Sequence, residues 1–216
     1  MEDISKLGRK ERERLQRKQE ILKSAAKLFA EKGFSNATLE DIATSSEFGI
    51  GTIYNYFQNK EEIFRSIIET ILNSNLEIVS ETDRTTTGLI EFLKSYTRST
   101  FKNFIDNKDE LLLLVSYFTG IGEKPVHLSQ DCFKDKNCQI DEVFRKRIRE
   151  GIENREIRDL NPEYFYYFYH TLIFPYVVTQ LKKKRLDHSN VDEHLNFVLD
   201  ILFNGILNKQ IDRERS

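Results

Sequence analysis

Almost everywhere in this chain the apolar residues return at steps of three and four, a period that commits the backbone to α-helix rather than strand. Little interrupts the pattern: 216 residues contain 3 prolines, 9 glycines and no tryptophan. Ile21, Leu22, Ala25, Ala26, Leu28 and Phe29 form the first stripe, closed by Gly33 as a left-handed cap. Thr38 then precedes Leu39, Ile42 and Ala43, with Asp41 three residues on as the return partner of a capping box, so a short helix from about Leu39 to Ser45 is predicted. After a break through Ser46, Glu47, Phe48 and Gly49, the residues Ile50, Ile53, Tyr54 and Phe57 share one face of a third short helix. Two brief helices joined by a tight turn and packed on a longer one make a helix-turn-helix.

From Lys60 onward the helices lengthen. A fourth is expected near Glu61 to Ser80, with Ile63, Phe64, Ile67, Ile68, Ile71 and Leu72 inward, then a loop from Thr82 to Thr87. A fifth carries Leu89, Phe92, Leu93, Tyr96, Thr100 and Phe104; a sixth carries Leu111 to Phe118 and stops around Gly120 and Gly122. A polar loop reaches about Lys136, and Ile140, Val143, Phe144, Ile148 and Ile152 mark a seventh helix. The eighth begins after Asn161, where Pro162 takes the favoured first helical position. The ninth spans about Val191 to Asn208, with Leu195, Val198, Leu202 and Ile206 as its stripe. The expected fold is therefore all-α, about nine helices, without internal repeats.

Composition narrows the class. With 39% hydrophobic and 31% charged residues the chain suits a folded protein, and no run of about 18 apolar residues exists to span a bilayer. The opening stretch, Met1 to Lys18, is charged and lacks the apolar centre of a signal peptide, so a cytoplasmic location is expected. Cys132 and Cys138 make no disulfide framework, and with His127 they lack the spacing of a metal site, so neither metal nor cofactor is expected. No nucleophile elbow, phosphate loop or paired carboxylates point to an enzyme. Formal charge is only −2, yet Lys6 to Lys18 holds seven basic residues against two acidic ones. A basic arm on a mildly acidic body attracts a polyanion locally, which the overall balance conceals.

The stretch from Ile21 to Phe64, ILKSAAKLFAEKGFSNATLEDIATSSEFGIGTIYNYFQNKEEIF, is similar to the DNA-binding domain of the TetR family of bacterial transcriptional regulators. AAKLFAEKGF, the opening TLEDIA, and GTIYNYF followed by NKEEIF carry the likeness, in order and at the family's spacing. The resemblance implies a basic arm over 1–18, a helix-turn-helix DNA-binding domain over 19–60 and a ligand-binding and dimerisation domain over 61–216. The third helix would enter the major groove while Ile53 and Phe57 anchor its back. Gly51 would let the backbone approach DNA, Thr52 would meet a phosphate or a thymine methyl, Tyr54 and Tyr56 would touch phosphate or base edges, and Asn55 would read a base. Thr38 would hold one phosphate and Lys60 a second. Tyr54 also shares a face with Ile50, Ile53 and Phe57, so a core role stands beside the contact role; Thr38 serves equally as a plain cap. Glu40 and Asp41 would repel DNA and are read as cap and surface groups. Three residues depart from the family's wording: Glu47 stands where glycine is common, Gly49 where serine or threonine caps the helix, and Ile50 where a polar residue is usual. Readout at Ile50 must then be apolar.

For the larger half the resemblance implies a homodimer that binds a palindromic operator as a repressor and is released by a small-molecule effector, with the fourth helix as the lever. The pocket is expected from Phe92, Tyr96, Phe104, Phe118, Phe144, Phe168 and His170, which favours a small, largely apolar or aromatic ligand. The run Tyr164 to Tyr169 is aromatic all round a helix and should be enclosed on several sides, and Pro175 should bend that helix or free a carbonyl. Tyr166, Tyr169, Leu195, Val198, Leu202 and Ile206 are the expected dimer interface. The alternative is the same DNA-binding fold controlled by a protein partner, with the aromatic helices as solid core.

Overall fold

A computed structural model describes residues 8–119 and 134–205, and within them every regular element is helical. Packing divides the described residues into two units, one built from 8–79, 107–119 and 134–141 and the other from 80–106 and 142–205.

The first unit contains α1 (Arg9–Lys32), α2 (Leu39–Ser45), α3 (Ile50–Tyr56), the greater part of α4 (Lys60–Thr85), and, after α5 (Leu89–Asp106), α6 (Lys108–Thr119). Helix α1 packs against α2 and α6, and α2 against α3. Its expected stripe is the buried one: Ile21, Leu22, Ala25, Ala26, Leu28 and Phe29 all face inward. Phe29, Phe34 and Phe64 meet with ring centroids 5.2 to 6.0 Å apart, tilted or edge-on as the aromatic quadrupole favours. Gly33 ends α1 at φ 81°, its N–H returning to the carbonyl of Phe29. Asn59 starts α4, its side-chain oxygen accepting from the Glu62 N–H at 2.8 Å.

The second unit contains α5, most of α7 (Lys134–Glu153), α8 (Pro162–Lys182) and α9 (Val191–Asn204). Helix α5 packs on α8 and α9. Asn161 caps α8 by accepting from the N–H groups of Glu163 and Tyr164. Across 67 positions of sequence, the Glu156 carboxylate caps α5 by accepting from the Leu89 N–H at 2.8 Å. Gly88 stands just before that cap at φ +73°, where an added Cβ would lie 2.7 Å from the Glu156 carboxylate.

Two local expectations change. From Arg9 the basic segment does not precede the first helix but forms its start: α1 begins at Arg9, and its first three turns come before the first buried residue, Ile21. Nothing between Arg9 and Lys32 breaks a helix, and once the buried half nucleates it the remainder propagates, aided by the i,i+4 pairs Arg9–Glu13 and Gln16–Glu20. The threonine stretch is not a loop from Thr82: α4 continues to Thr85, because Thr85 and Thr86 return their hydroxyls to the carbonyls of Glu81 and Thr82 and so stay compatible with helix. Thr82 is buried there, and the nearly buried Arg147 holds the same turn through the Asp83 carboxylate, the Asp83 carbonyl and the Thr86 carbonyl. Helix α8 continues through Pro175, whose missing N–H leaves the Thr171 carbonyl without its helical donor. Helix α9 is described as far as Asn204, with Gly205 following at φ 72°; residues 206–208 of the expected helix lie outside the described residues.

Candidate nucleic-acid interface

Seven residues make α3, too few to hold together alone, so its conformation depends on what its back is fastened to. Ile53 and Phe57, four apart and therefore on one face, are almost wholly buried. The opposite face is free: Gly49, Ile50, Gly51, Tyr54 and Asn55 are exposed, with Thr52 and Tyr56 half-buried at the margins. Tyr54 is 56% exposed, which places it on the outer face and not in the core. A Cβ added at Gly49 or Gly51 would meet nothing of the protein within 4 Å. Internal packing therefore does not require glycine at either place. The turn before α3 is strained at Glu47, a non-glycine residue at φ 59° in the left-handed region.

Helix α2 is oriented by its capping box. The Asp41 N–H donates to the Thr38 hydroxyl at 3.0 Å and the Thr38 N–H donates to the Asp41 carboxylate at 3.2 Å. Lys32 donates to the other Asp41 oxygen, and these bonds hold that carboxyl below its ordinary range, Lys32 first. The Thr38 hydroxyl is an acceptor in the cap, so its own proton is left to donate outward.

Lys60 is engaged within the protein. Its ammonium donates to the carbonyls of Phe34, Ser35 and Ala37 at 2.9, 3.1 and 3.2 Å and lies 4.6 Å from the Phe34 ring centroid. Three donors meet three acceptors, so the residue pins the loop between α1 and α2 and thereby sets where Thr38 stands. Lysine at the start of a helix carries no sequence signal for this, because the carbonyls come from residues about 25 positions earlier.

In the second unit the aromatic residues of α5, α7 and α8 converge. Phe144 sits among Phe92, Tyr96, Tyr166, Tyr169 and His170, with ring centroids 4.8 to 5.9 Å away. The Thr97 hydroxyl gives its proton to the Leu93 carbonyl at 2.6 Å, so Tyr169 is the donor in its 2.6 Å bond to Thr97. Burial, and then Tyr96, push the Tyr169 phenol well above its ordinary range. His170 Nε2 and Thr100 Oγ1 are buried without a hydrogen-bond partner among the described residues. Desolvation lowers the His170 imidazole from 6.5 to about 4, which keeps it neutral near pH 7.

Four of the expected pocket residues, Phe92, Tyr96, Phe144 and His170, are thus brought together, whereas Phe104 is buried apart against Phe174 at 5.5 Å. Phe168 points outward, and the Phe118 side chain lies outside the described set. An open groove of about 790 Å³ runs elsewhere in this unit, between α5 and α9, lined by Lys94, Ser95, Arg98, Leu195, Asp200 and Phe203 among others. Of the expected interface residues, Tyr166, Tyr169, Leu195 and Val198 are buried within the protomer, Leu202 is half-buried, and Ile206 lies outside the described residues. The exposed aromatics are instead Tyr164, Tyr167 and Phe168 of α8 and Phe197 of α9. Positions 164, 167 and 168 repeat at three and four just as 166, 169 and 173 do, so the sequence contained both stripes and no means of choosing between them.

Residues 21–67 match the family described as bacterial regulatory proteins, tetR family. The chain is 27% identical over 149 residues to YhgD of Bacillus subtilis, an uncharacterised HTH-type transcriptional regulator, with 69% of this chain and 76% of that protein aligned. It is 24% identical to the HTH-type transcriptional repressor AcnR of Corynebacterium glutamicum, over 86% of this chain and 89% of that one. Two further Bacillus subtilis regulators align over only 51% and 29% of their own length. In fold the chain is similar to the transcriptional regulator FadR of Bacillus subtilis, solved in complex with stearoyl-CoA: TM-score 0.70, 21% identity, 88% of this chain and 99% of that chain covered.

Proposed function

This chain is a member of the TetR family of transcriptional regulators, and from that premise we propose that it is a repressor that binds a palindromic operator as a homodimer and is released by a small, largely apolar ligand. The observation that carries the DNA-binding half is α3 itself: buried along Ile53 and Phe57, and free of protein along Gly49, Ile50, Gly51, Tyr54 and Asn55. A face that the fold does not use, made of two glycines, one aliphatic side chain, a phenol and an amide, suits a groove whose edges offer methyl groups, donors and acceptors. The glycines admit the duplex backbone, Ile50 meets a thymine methyl, Asn55 pairs with a base edge, and Thr52, Tyr54, Tyr56 and the Thr38 hydroxyl reach phosphates or base edges. Lys60 contributes by fixing the loop that carries Thr38 and adds its charge to the field.

Dimerisation is assigned to α8 and α9, with Tyr164, Tyr167, Phe168 and Phe197 at the contact, because apolar rings exposed in one protomer are best explained by a second one. The ligand is assigned to the aromatic cluster, where the unpaired His170 Nε2 and Thr100 Oγ1 stand ready for a polar group on an otherwise apolar molecule. A regulator of this fold was solved with stearoyl-CoA, which makes long-chain acyl thioesters the first compounds to try. The same chain governed by a protein partner is the competing reading, favoured by the close ring packing around Phe144.

Selection of bound sequences from random DNA, followed by gel shift in the presence and absence of stearoyl-CoA, tests the whole. Recovery of an inverted repeat that the compound releases is expected; a protein that enriches no sequence even in dilute salt overturns the DNA reading. Release by cell extract but by no small molecule favours the protein partner.

A further inference from the structure

Arg9 to Arg17, the opening turns of α1, are exposed among the described residues, yet their face is not random. One ladder of threes and fours runs Lys10, Arg14, Arg17, Ile21, Ala25, Leu28; its last three members are buried in the core and its first three are exposed and cationic. At 100° per residue, Lys10, Arg14 and Arg17 fall within an arc of about 60°, in line with the apolar stripe that holds α1 to α2. Arg12 lies on the opposite side, and Arg9 is turned away and paired with Glu13 at 2.8 Å. Lys18, at the junction of the charged and apolar halves, shows which way this face looks: it is half-buried with its ammonium 5.6 Å from the ring centroid of Phe57, the residue that closes α3. The core-facing side of α1 therefore changes from apolar to basic where burial among the described residues ends, and the basic part continues on the side of the helix-turn-helix.

We propose that Lys10, Arg14 and Arg17 form a rigid phosphate-binding stripe that follows the DNA backbone beside the site read by α3. The proposal rests on α3 binding DNA and adds a defined set of contacts to it. A helix already ordered by its own core loses little conformational entropy on binding, so each contact is kept at low cost. Each phosphate neutralised releases condensed counterions and adds about 0.9 to the slope of log affinity against log salt.

Charge-matched pairs separate a stripe from diffuse attraction. Arg14→Gln with Arg17→Gln, and Arg9→Gln with Arg12→Gln, each remove two positive charges and retain good helix formers. Full-length dimers are titrated at several salt concentrations against a duplex selected from a random pool by the wild-type protein, with flanking base pairs on both sides. The first pair, which removes two phosphate contacts from each of the two protomers, is expected to reduce the slope by about 3.6 and the second to leave it unchanged. Arg14→Lys with Arg17→Lys is expected to restore the wild-type slope, which a loss through unfolding would not predict, and circular dichroism should show α1 intact in all. Equal reductions for both pairs, or no reduction for the first, overturns the stripe while leaving α3 as the reading helix. A wild-type protein that binds no duplex overturns both.

Discussion

Aromatic residues at helical spacing do opposite things in the two units. In the first, Phe29, Phe34 and Phe64 build a small core, and Tyr54 is left outside on a helix too short to persist without Ile53 and Phe57 beneath it. In the second, Tyr166 and Tyr169 go inside with Phe144, while Tyr164, Tyr167 and Phe168 of the same helix stay out. The contrast teaches that an aromatic stripe says a helix has a partner, without saying whether that partner is the chain itself, a second chain or DNA. The number of neighbouring helices decides it, since a helix packed on one side buries one stripe only.

The comparison is most easily broken where packing is densest. Phe144→Ala removes the ring that touches five others and is expected to cost about 3–5 kcal/mol, read from denaturant unfolding. A loss under about 1 kcal/mol would mean that the ring contacts around Phe144 contribute little to folding. Arg147→Ala leaves Asp83 without its buried partner and is expected to cost about 3 kcal/mol by the same measurement. In contrast, Tyr54→Ala is expected to reduce DNA affinity by about 1–2 kcal/mol and to change folding stability by less than about 0.5 kcal/mol. Equal effects on both would return Tyr54 to a structural role.

Acid separates the units in another way. Because the folded state holds the His170 imidazole at about 4 and the unfolded chain at its ordinary 6.5, the unfolded state takes up a proton first as pH falls. The contribution is complete above pH 6.5 and is lost as pH drops toward 4, with a slope of at most about 1.4 kcal/mol per pH unit. His170→Phe should flatten that limb in a plot of Tm against pH, and an unchanged limb would show that the imidazole is solvated. The smallest effect is expected at the strained turn. Glu47→Gly relieves a left-handed φ of 59° and should raise stability by about 1 kcal/mol, measured by thermal unfolding.

How much could be read in advance follows the same division. The helix-turn-helix was legible residue by residue, because capping box, apolar spacing and turn lie within 20 positions and each is satisfied locally: Thr38 with Asp41, Ile53 with Phe57. The helical state of Arg9 to Lys18 was hidden behind its charge, and that of Thr82 to Thr85 behind its hydroxyls. The role of Lys60 was out of reach, since its acceptors belong to a loop that only folding brings near.

The order and number of helices among the described residues, the pair of short helices and the uneven charge were determined by the sequence alone, because periodicity, caps and charge act between residues a few positions apart. Which face of α8 turns inward, that Glu156 caps α5, and that Arg147 grips the end of α4 were decided by tertiary structure. Those outcomes compare burial energies among helices distant in sequence, and two stripes of equal hydrophobicity on one helix can be told apart only by the neighbours that reach it.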